Sequence, residues 1–248
     1  MFQPSLSISQ PAPPYAGESI SPRDRTCLGV PARNSNVLLD GIQRRWRRAR
    51  RRRKVGRAYD MALEIARVVP ANSRVLDVGC GNGFIAHHLA ATVGAAVIGI
   101  DLDATTEAAI DYRQFDGKHF PVADGSVDIA LLCYVLHHAQ ELDMVMSELR
   151  RVLSTGGCAL VYEDIPETWW DRFVCRMHAL KWRKRTGPCT FRSAKDWEGF
   201  FTSAEFEIVT ERQLSRWRNL AHPVCRRFYV VKQRWQALQP GTLSSFGA

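Results

Sequence analysis

Residues 75–85, VLDVGCGNGFI, constrain the fold more than any other stretch of the chain. A short apolar run rich in β-branched residues ends at Asp77-Val78, and glycine then recurs at every second position, Gly79, Gly81 and Gly83. Such a run reads as a buried strand. The glycines let backbone approach a ligand with no Cβ in the way. FIAHHLAATV (84–93) follows and reads as a helix. The rhythm continues: AAVIGIDL (95–102) predicts a second buried strand and SVDIALLCYVLHHA (126–139) contains another. ELDMVMSELRRVL (141–153) predicts a helix closed by Gly156 and Gly157, and CALVYEDI (158–165) a further strand. Upstream, YDMALEIARVVP (59–70) puts Ala62, Ile65, Ala66 and Val69 on one helical face, with Met61 and Val68 at its edges, until Pro70 stops it. Strands alternating with helices make a doubly wound, mostly parallel α/β sheet. Near the end, FEIVTERQL (206–214) and RRFYVVKQ (226–233) predict a hairpin on the sheet edge.

A glycine loop after a first strand also suits a dinucleotide. That motif, G-x-G-x-x-G, needs a small third residue for tight helix packing. Phe84 occupies that position here. Asp77 beside the loop is a poor neighbour for a pyrophosphate and a good one for an ammonium group.

The pattern D-x-G-x-G-x-G, followed by a strand ending at Asp101, resembles the class I S-adenosylmethionine-dependent methyltransferases. DGKHFPVADGSVDIALLCYVLHHA (116–139) and ELRRVLSTGG (148–157) narrow the resemblance to the type 11 family, which includes quinone, sterol and many small-molecule methyltransferases. It covers roughly residues 56–165 well and the remainder loosely. The resemblance implies a Rossmann-like sheet of seven strands and S-adenosyl-L-methionine as cofactor. It assigns Asp77 and the loop Gly79, Cys80, Gly81, Gly83 to the methionine moiety. Asp101, followed by Leu102, would accept the ribose hydroxyls, and Asp116 the adenine amino group, with Gly117 giving the ring close approach. Cys133 and Tyr134 would flank the methionine part and the sulfonium.

Methyl transfer from a sulfonium needs placement and a dry site, and a base only where the nucleophile arrives protonated. His137 and His138, just beyond the fourth strand, are the candidate bases, although a histidine here can also simply pack or cap. A second pair, His87-His88, lies inside a helix, so position rather than pairing carries the argument. Glu163 and Asp164 end the fifth strand, where they could orient a substrate or be ordinary solvated carboxylates. The spacing of histidines and acids predicts no metal site.

PETWWDRFVCRMHALKWRKRTGPC (166–189) predicts a basic amphipathic helix within an insertion over about 166–196. Trp169, Trp170, Phe173, Val174, Met177 and Leu180 recur at helical spacing. Two readings stay open: an apolar face packed on the domain, or a cap that accepts an apolar substrate at a membrane surface. Enzymes that methylate base amino groups carry Asn or Asp followed by Pro-Pro and an aromatic after the fourth strand; this chain has Cys133, Tyr134, Val135 and Leu136 there. Pro188-Cys189, which has the proline–cysteine order of cytosine C5 enzymes, lies far downstream and reads as a loop.

Charge is unevenly placed. RRWRRARRRRKVGR (44–57) carries +10, residues 58–165 a net −9 and residues 166–248 a net +8. That division argues against one uniform nucleic-acid surface. As an isolated helix, 44–57 holds about a dozen like-charge contacts, each unfavourable by about 0.2–0.5 kcal/mol, so it is expected to fray without an anionic partner. Residues 1–43, which include a Pro- and Ser-rich stretch and no secretory signal pattern, are expected to be disordered, and 236–248 a flexible tail, around a methyltransferase domain over 58–235. Seven cysteines with no C-x-x-C pair suggest reduced thiols and a cytoplasmic setting, peripheral to the inner membrane surface if the basic rim meets anionic lipid. The expected function is methyl transfer to O, C or N of a small or lipid-like acceptor. An RNA methyltransferase using the basic arm and a cofactor-binding protein without turnover remain the alternatives.

Overall fold

In the computed structural model, which describes residues 35–220 and 222–234, five strands pair in parallel. They are β1 (Arg74–Val78), β2 (Ala96–Asp101), β3 (Asp111–Gln114), β4 (Val127–Cys133) and β5 (Leu153–Ile165), in the order β3-β2-β1-β4-β5. β7 (Cys225–Gln233) joins β5 antiparallel, and β6 (Phe206–Leu214) closes that edge antiparallel to β7. The expected hairpin and the expected seven-stranded, mostly parallel sheet are both present.

Alternation along each strand splits the core in two. Val75, Val97, Ile129, Leu131, Leu160 and Tyr162 face α1 (Ser35–Ile65) and α2 (Phe84–Val93), where Ala62, Ile65, Ala86 and Leu89 are buried. Their sequence neighbours Leu76, Ala130, Leu132, Ala159 and Val161 face α3 (Leu142–Val152) and α5 (Ala194–Ser203), where Met146, Leu149, Trp197 and Phe201 are buried. A sheet covered on both faces requires apolar residues at consecutive positions, which is why its strands read as unbroken apolar runs.

The chain divides into two units, residues 1–47 and 48–248. The expected disorder over 1–43 lies outside the described residues as far as 34, and so does the expected tail 236–248. Residues 35–43 are helical, as is the arginine run. Arginine and lysine are good helix formers. The second half of the run also finds counter-charges: Arg51 and Lys54 pair with Glu107 at 3.4 and 3.5 Å, Lys54 binds the Asn82 side chain, and Arg51 lies over the Phe84 ring. Asn82 and Phe84 flank Gly83, so this stretch borders the glycine loop.

α4 (Trp169–Thr186) overturns one of the two readings of the insertion. Most of its apolar stripe does not pack on the domain: Trp169 is 77% exposed, and Phe173, Met177 and Leu180 are each more than half exposed, while Trp170 donates to the Pro223 carbonyl and Val174 is half-buried. The inward face is instead Asp171 and Cys175, both buried, with His178 and Trp182 half-buried below them. Asp171 fixes this rotation. Its carboxylate accepts from the Thr168 N–H and hydroxyl to form a capping box, and also from the Cys225 N–H at 3.0 Å and the Arg216 guanidinium.

Candidate functional site

Strand order reverses between β1 and β4, and ligands in open parallel sheets bind at the carboxyl ends of the strands beside such a switch. Asp77, Asp101, Cys133 and Glu163 all lie at or near those ends. The loop Gly79–Gly83 leaves β1 with Gly79, Gly81 and Gly83 all in the left-handed region. A Cβ at Gly79 would sit 2.6 Å from Val135 Cγ2, whereas one at Gly81 would meet nothing within 4 Å. Gly79 is therefore required by packing and Gly81 by conformation, leaving open space above its backbone. The Cys80 side chain packs at Gly99 of β2, and burial pushes its thiol pKa up.

Asp77 is 2% exposed, and its Oδ2 has no hydrogen-bond partner. Burial first, and the charge of Asp101 second, push its carboxyl pKa up to about 8. A buried acid left unpaired is costly unless a cationic or hydrogen-bonding group meets it. Asp101 ends β2, and its Oδ2 accepts the Gly81 N–H at 2.7 Å, so the carboxylate is held directly beside the glycine loop. Leu102, half exposed, approaches Gly117 closely enough that a Cβ there would lie 3.2 Å from Leu102 Cδ2. Asp116 is exposed and caps its own turn: Oδ1 accepts from the Lys118 and His119 N–H groups, and Oδ2 faces the His119 ring. These bonds hold its pKa below the usual carboxylate range. Cys133 ends β4 with its thiol pKa raised by burial, and Tyr134 follows with φ of 61°, a left-handed conformation that costs a non-glycine residue about 1–2 kcal/mol. The sheet holds it there: the Tyr134 N–H donates to the Tyr162 carbonyl at 2.8 Å.

The two candidate histidines occupy one 3-10 turn, Leu136–His138, and differ sharply in setting. His137 is 1% exposed, its Nδ1 lies 2.6 Å from Glu163 Oε2, and its ring stacks on Phe191. Burial alone would lower its pKa; the charge and hydrogen bond of Glu163 outweigh burial and raise it. Glu163 also accepts the Leu136 N–H, so it fixes the turn as well as the ring. His138 has no carboxylate partner, and burial, then the charge of His137, lower its pKa to about 3. His87 and His88 lie on α2, where Tyr59 packs edge-on against His88.

Three residues of this centre were not among the sequence candidates. His178 on α4 places Nε2 3.3 Å from His138 Nε2. Cys189, in the loop expected there, approaches His138 Nδ1 at 3.2 Å. His222 binds Asp164, which also pairs with Arg226, so Asp164 is buried rather than solvated. One imidazole nitrogen each of His137, His138 and His178 lies within 4.8 Å of the others, a grouping of metal-ligand type that the spacing did not predict. A signal did exist: Asp171, Cys175, His178 and Trp182 repeat at helical intervals, but as a mixed polar stripe rather than an apolar one.

Residues 76–161 match the family model described as a methyltransferase domain. The chain is 30% identical over 132 residues to a malonyl-[acyl-carrier protein] O-methyltransferase of Legionella pneumophila, covering 49% of this chain and 46% of that protein. It is 29% identical over 187 residues to the ubiquinone/menaquinone biosynthesis C-methyltransferase UbiE of Xanthomonas campestris, covering 67% and 69% of the two chains. The chain thus spans less than half of the first relative's length and about two-thirds of the second's. Among solved structures, an S-adenosylmethionine-dependent methyltransferase from Methanosarcina mazei superposes with a TM-score of 0.56 at 18% identity, over 69% of this chain and 97% of that one, a likeness of fold. The family match lies on β1 through β5, the strands that carry the glycine loop and its acidic neighbours, so residues 76–161 carry a methyltransferase domain, in a fold shared with S-adenosylmethionine-dependent methyltransferases.

Proposed function

We propose that this protein transfers a methyl group from S-adenosylmethionine to O, C or N of an apolar, lipid-like acceptor taken from an anionic membrane surface. The observation that carries the acceptor assignment is the outward face of α4. Trp169, Phe173, Met177 and Leu180 are exposed there among Arg172, Arg176, Lys181 and Lys184, while the opposite side of the same helix brings His178 against His138. An exposed apolar stripe set in basic residues matches a surface that is apolar below and anionic above. Among the described residues no helix is long and apolar enough to cross a membrane, so contact of this kind is peripheral. The relatives' names, one in quinone biosynthesis and one acting on a malonyl-carrier protein, support a small or lipid-like acceptor.

The bound cofactor supplies an activated methyl on a sulfonium; the chain supplies placement. Asp77, buried and unpaired, meets the ammonium of the methionine moiety, and the loop Gly79–Cys80–Gly81–Gly83 lets it lie against backbone. Asp101, held by the Gly81 N–H, accepts the ribose hydroxyls. Leu102 and Gly117 bound the adenine slot, with Asp116 at its rim. Cys133 and Tyr134 flank the sulfonium. The histidine cluster takes the acceptor's proton, with His137 at its centre because it is the one backed by a carboxylate.

Purified protein incubated with methyl-labelled cofactor and membrane extract is expected to put label into the organic-soluble fraction. Label confined to RNA would overturn the acceptor reading in favour of an RNA substrate bound through the basic arm. Saturable cofactor binding with no transfer to any fraction would overturn turnover itself.

A further inference from the structure

Methyl transfer alone does not require four histidine rings in one place. The His137 ring lies 4.3 Å from that of His138 and 5.4 Å from that of His178, which in turn lies 5.1 Å from His222. Buried polar atoms are ordinarily satisfied. His137 Nε2 is buried with no hydrogen-bond partner, and His138 Nε2 and His178 Nε2 face each other at 3.3 Å. A tetrahedral ion of zinc type holds imidazole nitrogens at about 2.0–2.1 Å, which sets neighbouring ligand nitrogens about 3.3 Å apart. The His138–His178 pair already has that spacing, and one nitrogen of His137 lies within 4.8 Å of both.

The surroundings suit the same purpose. Glu163 on Nδ1 of His137 leaves Nε2 as the bare nitrogen, the carboxylate–histidine arrangement that orients metal ligands. His138 Nδ1 is flanked by Thr186 Oγ1 at 3.0 Å and Cys189 Sγ at 3.2 Å, which fixes that ring as well.

We propose that His137, His138 and His178 bind one divalent transition-metal ion of zinc type, which clamps α4 onto the end of β4. The inference deepens, and rests on, the reading of this histidine cluster as the acceptor side. Three protein ligands leave a fourth position open. With the ion bound, His137 Nε2 would be a ligand rather than the base: an acceptor hydroxyl in the fourth position would lose its proton to water more readily, and its oxygen would attack the methyl carbon as the carbon–sulfur bond breaks, the electron pair leaving on sulfur as S-adenosylhomocysteine.

The full chain, stripped with chelator and dialysed, is titrated with Co²⁺ as a visible probe and then with competing Zn²⁺. One equivalent is expected to bind with the absorption of a four- or five-coordinate nitrogen site and to be displaced by Zn²⁺. His178→Gln is expected to abolish the spectrum, and Glu163→Gln to weaken binding about 10–100-fold. Affinity for S-adenosylhomocysteine, measured on the same preparations, reports folding and the cofactor site independently of the metal. Absence of stoichiometric Co²⁺ binding by protein that binds S-adenosylhomocysteine would overturn the metal site and leave His137 as an unassisted base. Binding that survives His178→Gln but is lost in His87→Gln would overturn it equally.

Discussion

The proposed meeting of Asp77 with the cofactor's ammonium group would tie cofactor affinity to pH, and the size of the effect follows from the environment of Asp77. With a pKa of about 8, the buried carboxyl is about nine-tenths protonated at pH 7 in the free protein. An ammonium group against it favours the ionised form, so binding at pH 7 releases about 0.9 proton from this site. The ligand's own α-amino group, ordinarily near 7.7–8.0, takes back about 0.1, for a net release of about 0.8. Through the same two equilibria the apparent dissociation constant weakens about 20-fold from pH 8 to pH 6. Calorimetric titration with S-adenosylhomocysteine in phosphate and in Tris at pH 7 counts the protons directly. Asp77→Asn is expected to bind more weakly, release none of them and lose the steep pH dependence. Stability moves the opposite way. The folded state keeps a proton that the unfolded chain loses near pH 3.8, so this contribution is full below that pH and lost as pH rises through about 8. Unliganded wild type is expected to lose about 2 kcal/mol from Asp77 between pH 6 and pH 8, and the Asn variant to lose none of it. Proton release near zero in wild type, or equal release in the variant, would refute the assignment of Asp77 to the ammonium.

Three further outcomes are expected. Glu163→Gln removes the group that raises the His137 pKa against burial; kcat is expected to fall about 10²–10³-fold, with its rising pH limb moved to lower pH, as a rate profile would record. Phe173→Asp, on the exposed stripe of α4, is expected to change stability by no more than about 0.5 kcal/mol while abolishing flotation with anionic vesicles; unchanged flotation would count against membrane contact. Gly81→Ala meets no neighbour but forces a left-handed alanine, so a stability loss of about 1–2 kcal/mol is expected from denaturant titration, whereas Gly79→Ala also drives a methyl into Val135 and is expected to cost more.

The architecture was readable because its signals are local. Strands buried on both faces must be apolar at every position, as AVIGID and VDIALLC nearly are, and the turn after β1 needs glycine wherever φ is positive. Those two requirements, together with Asp77 and Asp101 at strand ends, mark the sheet and the cofactor side without any knowledge of packing. The helix through the arginine run was less legible, because its counter-charge Glu107 is distant in sequence.

The sequence by itself determined the doubly wound sheet, the glycine loop and the acidic residues around it, since each is set by the conformation or burial of its own short segment. Only the tertiary structure decided the rotation of α4, and with it which of its residues meet the histidines after β4. The apolar spacing of Trp169, Phe173, Met177 and Leu180 suited a buried face, yet the bonds of Asp171 to Cys225 and Arg216 turned that face outward and brought His178 in. Whether His138 meets His178, or His137 meets Glu163, depends on contacts between residues 40 and 26 positions apart, and no periodicity along the chain encodes such a distance.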